Sequence, residues 1–319
     1  MTDRTVAVLA GGLSHERDVS LRSGRRLSSA LRDVGLQVEE WDIDGTLVGR
    51  LSASRPDAVV VALHGGVGEN GAVQSVLELL RMPYVGSDPR ACRRAWDKPT
   101  AKDELARAGM TTPDWVALPH ATFRDLGAHD VLAALVNRLG LPLILKPPQG
   151  GSALGVHVVR EVTELPGAMV GCLAYGDTVM AERFVEGVEI AVTVLDEPHG
   201  PRALPAVEIN AVSGFYDYAA RYTAGLATFH TPARLDPAAT AAAADLALRA
   251  HRVLGLRDVS RTDAVVGPDG VAHFLEVNVA PGLTETSLLP MAIESDGAEL
   301  GAVFAELVER AVARGSTSG

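Results

Sequence analysis

The chain has 319 residues, a length that suits two or three small domains in contact with one another. Hydrophobic residues make up 47% of the chain and charged residues 22%, a composition that excludes a largely disordered protein. The formal net charge of −11 argues against nucleic acid as a partner, because neutralising phosphates requires a basic face.

The N-terminal part of the chain predicts a small doubly wound α/β unit with a parallel sheet. Residues 5–10 form a short apolar run closed by two glycines, and residues 19–34 carry apolar side chains at helical spacing. Residues 36–41 alternate as a second strand, and residues 57–63 form the continuous apolar run that is typical of a buried parallel strand. We expect this N-terminal substrate domain to span residues 1–95.

No segment reads as a targeting or membrane sequence. The apolar run within residues 1–11 is shorter than a signal-peptide core, and no stretch reaches the roughly 18 to 20 apolar residues of a membrane helix. Cys92 and Cys172 lack metal-ligand spacing and fit a reducing compartment. We therefore expect a cytoplasmic protein with no disulfide and no membrane partner.

Residues 96–185 predict a central domain that mixes helices and strands. A helix starts at Lys98 and stops at Gly109, with Pro113 as a further stop signal. The other elements predicted here are a strand around Trp115, a helix over residues 122–139, and strands over residues 141–145, 156–159 and 178–182.

Residues 186–319 predict a C-terminal domain with its own strands and two long helices. The strands are predicted over residues 189–195, 259–266 and 271–278, and the helices over residues 237–254 and 299–314. Residues 210–232 show little strand pattern and predict a structureless loop. Because a loop of this length inside a compact domain is usually functional, we expect it to be a lid.

Polar side chains stand at the ends of the last two predicted strands. Arg261 and Asp263 share one face of their strand, as do Glu276 and Asn278 of theirs, because side chains alternate along a strand. Carboxylate and amide oxygens suit Mg²⁺ that bridges nucleotide phosphates. An ordinary solvated sheet face is the alternative, but the apolar surroundings make unpartnered polar groups costly there.

A glycine-rich segment follows the predicted strand that ends at Lys146. The glycines within residues 147–155 allow the backbone to approach an anion closely, and the charge of Lys146 would complement that of the anion. The lysine precedes the glycines, so the segment is not a Walker loop. Taken alone, such a segment is more often only a turn.

Two further polar residues follow strands of the N-terminal unit. Glu16 stands at the predicted helix start, where an acid either stabilises the helix terminus or receives a substrate ammonium. His64 follows a strand at the carboxyl end of the sheet, where α/β proteins bind ligands, but it equally suits a loop histidine with satisfied hydrogen bonds.

Seven short stretches together resemble the D-alanine:D-alanine ligase family of the ATP-grasp superfamily, over essentially the whole chain. They are residues 11–20 (GGLSHERDVS), 62–65 (ALHG), 96–98 (WDK), 145–147 (LKP), 215–218 (FYDY), 261–263 (RTD) and 276–283 (EVNVAPGL). The resemblance implies a three-domain ATP-grasp fold that binds ATP between the central and C-terminal domains. It implies ATP-dependent joining of two D-alanine molecules through an acylphosphate, for peptidoglycan precursor synthesis, in a homodimer.

The resemblance also implies roles for individual residues. Lys98 and Lys146 would contact nucleotide phosphates, and Glu189 would bind the ribose. The adenine pocket would contain Glu182, Phe184 and Val185, with Arg183 beside them. Two Mg²⁺ ions, or Mn²⁺ in their place, would be held by Asp263, Glu276 and Asn278.

For the amino-acid substrates, the resemblance implies a second set of residues. Glu16 would hold the ammonium of the first amino acid and would be bridged through Ser152 to Tyr222 on the lid. Arg261 and the Gly282 N–H would stabilise the oxyanion. The remaining substrate contacts would be His64, Arg221, Ser287 and Leu288.

The chain departs from the family pattern at three places, and the departures in the glycine-rich loop and the lid leave the substrate open. The glycine-rich loop has Gly150 where an acidic residue is usual, the lid pair is Arg221-Tyr222 instead of Lys-Tyr, and Arg183 replaces a lysine. A specialised relative that joins other amino acids is therefore one alternative. A non-catalytic nucleotide-binding regulator is another, which the complete set of predicted metal ligands with Arg261 disfavours.

Overall fold

In a computed structural model, which describes residues 4–212, 214–223 and 225–315, the chain forms three sheets covered by helices. The first is a parallel sheet with the strand order β2-β1-β3-β4. Its strands are β1 (Thr5–Ala10), β2 (Gln37–Asp42), β3 (Ala58–Val61) and β4 (Tyr84–Val85), and the helices of this part of the chain are α1 (Arg17–Asp33), α2 (Leu47–Ser54), α3 (Ala72–Leu79) and α4 (Pro89–Trp96). The predicted doubly wound α/β unit is confirmed.

The second sheet is antiparallel and has the order β5-β8-β6-β7. The elements of this region are α5 (Lys98–Arg107), β5 (Trp115–Pro119), α6 (His120–Leu126), α7 (Ala128–Leu139), β6 (Leu143–Lys146), β7 (His157–Val159), α8 (Leu165–Leu173) and β8 (Thr178–Arg183). The single helix predicted over residues 122–139 is wrong. Gly127, with a φ of 93°, separates two helices there because that backbone conformation does not continue a helix.

The third sheet is also antiparallel, with the order β12-β11-β9-β13-β14 and with β10 paired to β9. The elements of this region are β9 (Val188–Glu197), β10 (Gly200–Ala203), β11 (Val207–Ala211), α9 (Tyr218–Tyr222), β12 (Ala227–His230), α10 (Pro237–Val253), β13 (Val259–Val266), β14 (Ala272–Asn278), α11 (Leu288–Ser295) and α12 (Leu300–Arg314).

The segment predicted as a structureless lid contains regular structure. Helix α9 lies within it, and β12 pairs with β11, with Asn210 opposite Thr228. Strand β12 is an edge strand of only four residues, so its alternation was too short to stand out in the sequence. The expectation of a long unstructured loop was therefore wrong.

The last helix of the chain packs against the first sheet. Leu307 and Val308 of α12 share a hydrophobic core with Val8, Leu27 and Val60 of the N-terminal unit. Arg314 at the end of α12 adds to this contact, since it donates to the backbone oxygen of Tyr84 in β4 and also binds the buried carboxylate of Asp258. The two ends of the chain thus build one shared core.

Among the described residues, no helix combines the length and the apolar character that crossing a membrane requires.

Candidate active site

A cavity of about 460 Å³ lies between the second and third sheets. Strand β6 and the glycine-rich segment form one wall, β9, β13 and β14 form the other, and residues 183–188 connect the two. Every residue predicted to contact the nucleotide lines this cavity: Lys98, Lys146, Glu182, Arg183, Phe184, Val185 and Glu189. The cavity walls are apolar around Ile144 and Leu275 and charged around the lysines, which suits a ligand with one apolar and one anionic end.

Lys98 links three parts of the cavity wall. It stands at the start of α5, where Asp97 caps the helix, and its Nζ donates to the backbone oxygen of Gly150 at 2.8 Å. The same Nζ lies 3.1 Å from Oε2 of Glu276 on β14. The ammonium group of Lys98 therefore contacts both the glycine-rich segment and the C-terminal sheet.

Glu182 lies at the centre of a second charged group. Its side chain is buried, and its Oε2 lies 3.0 Å from Nζ of both Lys146 and Lys102. Burial works to raise the pKa of Glu182, but the two lysines outweigh it and hold the pKa below its usual range. The carboxylate of Glu182 is thus occupied by two cations.

The predicted metal ligands converge as the strand pattern indicated. Asp263 stands opposite Glu276 across the β13–β14 pair, and Arg261 stands opposite Asn278. Nε and Nη2 of Arg261 donate to the two oxygens of Asp263, both at 2.7 Å, and Nδ2 of Asn278 donates to Asp263 at 3.2 Å. Burial works to raise the pKa of Glu276, but Lys98 and Lys146 lower it to about 2.

This donor set fits a magnesium ion that is shared with a polyphosphate. Among the described residues, no three His, Cys, Asp or Glu side chains cluster as a self-sufficient metal site. Asp263, Glu276 and Asn278 offer two carboxylates and an amide oxygen, which are hard ligands of the kind that Mg²⁺ prefers. Because Mg²⁺ needs six ligands, phosphate oxygens and water would have to complete its shell.

A second, smaller cavity of about 80 Å³ is lined by Arg261. It gathers residues from the parts of the chain around all three sheets, including these predicted ones: Glu16, His64, Ser152, Arg221, Arg261, Asn278, Gly282, Ser287 and Leu288. Tyr216 and Arg221 line both cavities. The strand-end cluster, which consists of Arg261, Asp263, Glu276 and Asn278, contributes Asp263 and Glu276 to the large cavity and Arg261 and Asn278 to the small one. The side chain of Tyr222, predicted to join this site, lies outside the described residues.

Glu16 and Ser152 contact each other across the second cavity. Ser152 Oγ donates a hydrogen bond to Oε1 of Glu16, and Ser152 has a φ of 53°, a conformation that non-glycine residues rarely adopt. A Cβ on Gly151 would lie 3.1 Å from both carboxylate oxygens of Glu16. The glycine-rich segment therefore approaches the first sheet closely at this carboxylate.

His64 is buried and has partners on both ring nitrogens. Nε2 lies 2.7 Å from Oγ of Ser23, and Nδ1 lies 3.0 Å from the backbone oxygen of Ala280. Burial lowers the pKa of His64 to about 4, so the ring is neutral near pH 7. Because Ser23 also accepts from the N–H of Leu283, His64 and Ser23 together hold the segment that carries Gly282.

Two arginines occupy different settings. Arg183 forms an exposed ion pair with Asp114 at 3.4 Å, at the rim of the large cavity. Arg221 lies over the ring of Tyr216, at 4.4 Å from the ring centroid, and faces the site. Glu189 shares this region, and its burial raises its pKa to about 7, although Arg221 acts in the opposite direction.

Sequence reasoning missed two buried charged residues. Glu69 lines the second cavity, and its Oε1 accepts from the N–H of Gly65 at 2.8 Å. Lys102 is fully buried beside Glu182. In the sequence, Glu69 lies in a glycine-rich turn and Lys102 in an amphipathic helix, so neither carried a signal that distinguishes it from a surface charge.

Comparisons with known proteins agree on one family. A family model described as "D-ala D-ala ligase C-terminus" matches residues 105–309, and one described as "D-ala D-ala ligase N-terminus" matches residues 44–87. A D-alanine–D-alanine ligase of Anaeromyxobacter sp. (strain K) is 41% identical over 309 residues, which cover 97% of this chain and 96% of the relative.

Two solved structures share the fold. The D-alanine–D-alanine ligase of Bacillus anthracis complexed with ATP is 26% identical, with a TM-score of 0.81 over 98% of each chain. The VanG D-Ala:D-Ser ligase of Enterococcus faecalis is 25% identical, with a TM-score of 0.82 over 97% of this chain and all of the other. The three-domain ATP-grasp expectation is confirmed.

Proposed function

The chain belongs to the D-alanine:D-alanine ligase family, and we propose that it joins two D-alanine molecules into D-alanyl-D-alanine while ATP is cleaved to ADP and phosphate. One observation carries this proposal most strongly. Asp263 lines the nucleotide-sized cavity, and Arg261, which donates to Asp263, lines the small polar cavity, so a γ-phosphate and an amino-acid carboxylate could be brought together there.

The first step activates a carboxylate. One oxygen of the first D-alanine attacks the γ-phosphorus, the bond to ADP breaks, and an acylphosphate forms. Lys98 and Lys146 are placed to neutralise phosphate oxygens as charge develops on them. Mg²⁺, held by Asp263, Glu276 and Asn278, would supply further neutralisation of the phosphate charge.

The second step forms the amide. The free amine of the second D-alanine attacks the acyl carbon, and phosphate leaves from the tetrahedral intermediate. Arg261 and the N–H of Gly282 are our candidates for stabilising its oxyanion, since both border the small cavity. Glu16 would hold the ammonium of the first D-alanine, and the hydrogen bond from Ser152 would fix the Glu16 carboxylate.

The remaining residues would position the two substrates. Phe184 and Val185 offer apolar surface for adenine, and Glu189 would bind the ribose. Ser287 and Leu288 would line the pocket of the second amino acid, together with Arg221 from the lid. The lid, residues 210–232, would shield the acylphosphate from water, with Tyr222 as one of its contacts.

A second substrate class is favoured by one observation. The fold is equally close to the VanG D-Ala:D-Ser ligase, and the lid of this chain carries Arg221 where its family usually carries lysine. The lid faces the pocket of the second amino acid, so a ligase with another second substrate is the alternative.

The biological setting follows from the product. D-alanyl-D-alanine is a peptidoglycan precursor in this family, and we propose the same role here. A cytoplasmic location and a homodimer complete the proposal, and sedimentation velocity tests the dimer.

The test is ATP-dependent phosphate release from purified protein with a panel of D- and L-amino acids. D-alanine alone should support release, and D-alanyl-D-alanine should accumulate. Release only when D-serine or another amino acid is added would favour the alternative, and no release with any amino acid would exclude a ligase.

A further inference from the structure

Lysine is rare in this chain and is confined to one place. The sequence contains 29 lysines and arginines, of which only Lys98, Lys102 and Lys146 are lysine. Lys98 and Lys146 line the large cavity, whereas Lys102 does not. Lys102 nevertheless lies 3.0 Å from Glu182, the residue that also binds Lys146. Two of the three lysines therefore line one cavity, and the third lies directly behind its wall.

Lys102 is held rigidly and has no access to solvent. It lies on the buried side of α5 with 0% of its side chain exposed. Its Nζ donates to Oγ1 of Thr112 and to the backbone oxygen of Phe274, the latter at 3.1 Å. Burying a cation is costly unless its partners compensate for lost hydration, and here three oxygen atoms do so.

The charges around Glu182 decide what Lys146 can offer a ligand. If Lys146 alone faced Glu182, the two would form a neutral pair with little attraction for a polyphosphate. With Lys102 as a second cation on the same oxygen, the group of three carries one net positive charge. In a poorly hydrated cavity wall, that charge acts on phosphates with little screening.

We propose that Lys102 is a positioning residue for the nucleotide phosphates: it neutralises Glu182 and so leaves the positive charge of Lys146 for ATP. The inference rests on the proposed function, because it presumes that the cavity binds ATP. Lys102 touches no substrate itself. It acts through Glu182, which also keeps the ammonium of Lys146 at a fixed place in the cavity wall.

The surroundings also explain a lysine at this position. A compact ammonium fits between Glu182, Thr112 and the backbone of β14, with the ring of Phe274 at 5.8 Å. A guanidinium is a larger planar fork with five donors, and the site offers too few acceptors for it. Arginine is the common cation elsewhere in the chain, so the exception at residue 102 matches this geometry.

The experiment compares binding of ATP with binding of adenosine, by titration calorimetry on the full chain. Adenosine reports the base and ribose contacts, so the ratio of the two affinities isolates the phosphates. Lys102→Met should weaken ATP binding by about tenfold or more while leaving adenosine binding unchanged. Arg107→Met removes an exposed cation from the same helix and should leave the ratio unchanged.

A second variant separates charge from folding. Lys102→Met with Glu182→Gln removes one charge of each sign, leaves Lys146 with its positive charge, and should restore the ATP-to-adenosine ratio. Any change that Glu182→Gln makes at the adenine pocket affects both ligands and cancels in that ratio. If Lys102 had only a structural role, Lys102→Met would lower Tm, and the double variant would not regain the wild-type ATP-to-adenosine ratio. Thermal unfolding of each variant is recorded in parallel. If Lys102→Met does not fold, the inference is tested by comparing the ATP-to-adenosine affinity ratio of the double variant with that of wild type.

Two failures can be told apart. Wild-type protein that binds no ATP would overturn the proposed function and this inference with it. Wild-type protein that binds ATP and releases phosphate with D-alanine, while Lys102→Met retains the wild-type ratio or the double variant falls well below it, would overturn the inference alone.

Discussion

Oε2 of Glu276, on β14, lies 3.1 Å from Nζ of Lys98, at the start of α5. A candidate metal ligand and a candidate phosphate ligand therefore neutralise each other in the structure. A magnesium nucleotide brings both a cation for the carboxylate and an anion for the lysine, so both groups would keep opposite charges near them after binding.

Glu276→Gln should lower kcat by about 100-fold or more, because an amide is a weak magnesium ligand and carries no charge. The fold should persist, since Gln retains the size of Glu and can still accept from Lys98. The measurement is phosphate release at increasing Mg²⁺, with Tm recorded for each protein. Glu197→Gln, an exposed change on β9, is the control. Full activity of Glu276→Gln would remove Glu276 from the metal site.

Gly301 lies against α1 so closely that it leaves no room for a side chain. A Cβ there would overlap the backbone oxygen of Ala30. Gly301→Ala should therefore destabilise the protein by about 2 kcal/mol, although alanine favours helices. Gly49→Ala, at an exposed helical glycine with nothing within 4 Å, should instead stabilise it by about 0.5 to 1 kcal/mol. Urea unfolding measures both, and equal effects would contradict the packing argument.

Asp258 joins the first sheet to the last helix. It is buried and accepts from the N–H of Gly86 and from both Nη atoms of Arg314, each at 2.8 Å. Asp258→Asn leaves Arg314 without its carboxylate partner and should cost about 3 kcal/mol in the free energy of unfolding. Asp245→Asn, in an exposed pair on α10, should cost well under 1 kcal/mol. If urea unfolding gave similar losses for Asp258→Asn and Asp245→Asn, the buried pair would not be what stabilises the contact between the first sheet and the last helix.

Glu69 should make stability depend on pH. Burial raises its pKa from 4.5 to about 8, and Glu16 and Glu276 add to the shift while Arg261 opposes it. The folded state then binds the extra proton, so this contribution is largest below pH 4.5 and is lost as pH rises to about 8. His64 acts in the opposite direction, but only between about pH 4 and 6.5. Glu189, whose pKa is raised to about 7, also titrates between pH 6.5 and 8, so the difference between wild type and a Glu69 variant across this interval isolates Glu69.

Glu69→Gln should gain on the order of 2 kcal/mol relative to wild type between pH 6.5 and 8, because the glutamine has no proton to lose. Unfolding free energies measured across this interval test the expectation. Glu306→Gln, an exposed change on α12, should follow the wild-type curve. Parallel curves for wild type and Glu69→Gln would show that Glu69 is already ionised in the folded protein.

Local sequence patterns were sufficient to predict the main strands and to predict which side chains of β13 and β14 share a face at the strand ends. Apolar runs marked β1, β6 and β13, and alternation along β13 and β14 placed Arg261 beside Asp263 and Glu276 beside Asn278. Both signals are local, since they arise from burial and from side-chain direction within a single strand.

Features that depend on distant contacts were not predictable. His64 is held by Ala280, 216 residues away, and Lys102 by Phe274, 172 residues away. Neither helical spacing nor a lone charge specifies such a partner. The four-residue strand β12 was missed for a related reason, because its pairing with β11, not its own sequence, defines it.

The acylphosphate step is the central claim, and an isotope measurement tests it directly. D-alanine labelled with ¹⁸O in its carboxylate is incubated with ATP, Mg²⁺ and the protein, and the released phosphate is analysed by mass spectrometry. Each phosphate should contain one ¹⁸O atom, in step with the D-alanyl-D-alanine formed, because the attacking carboxylate oxygen leaves with the phosphorus. Unlabelled phosphate would show that water attacks ATP instead, and would contradict the account.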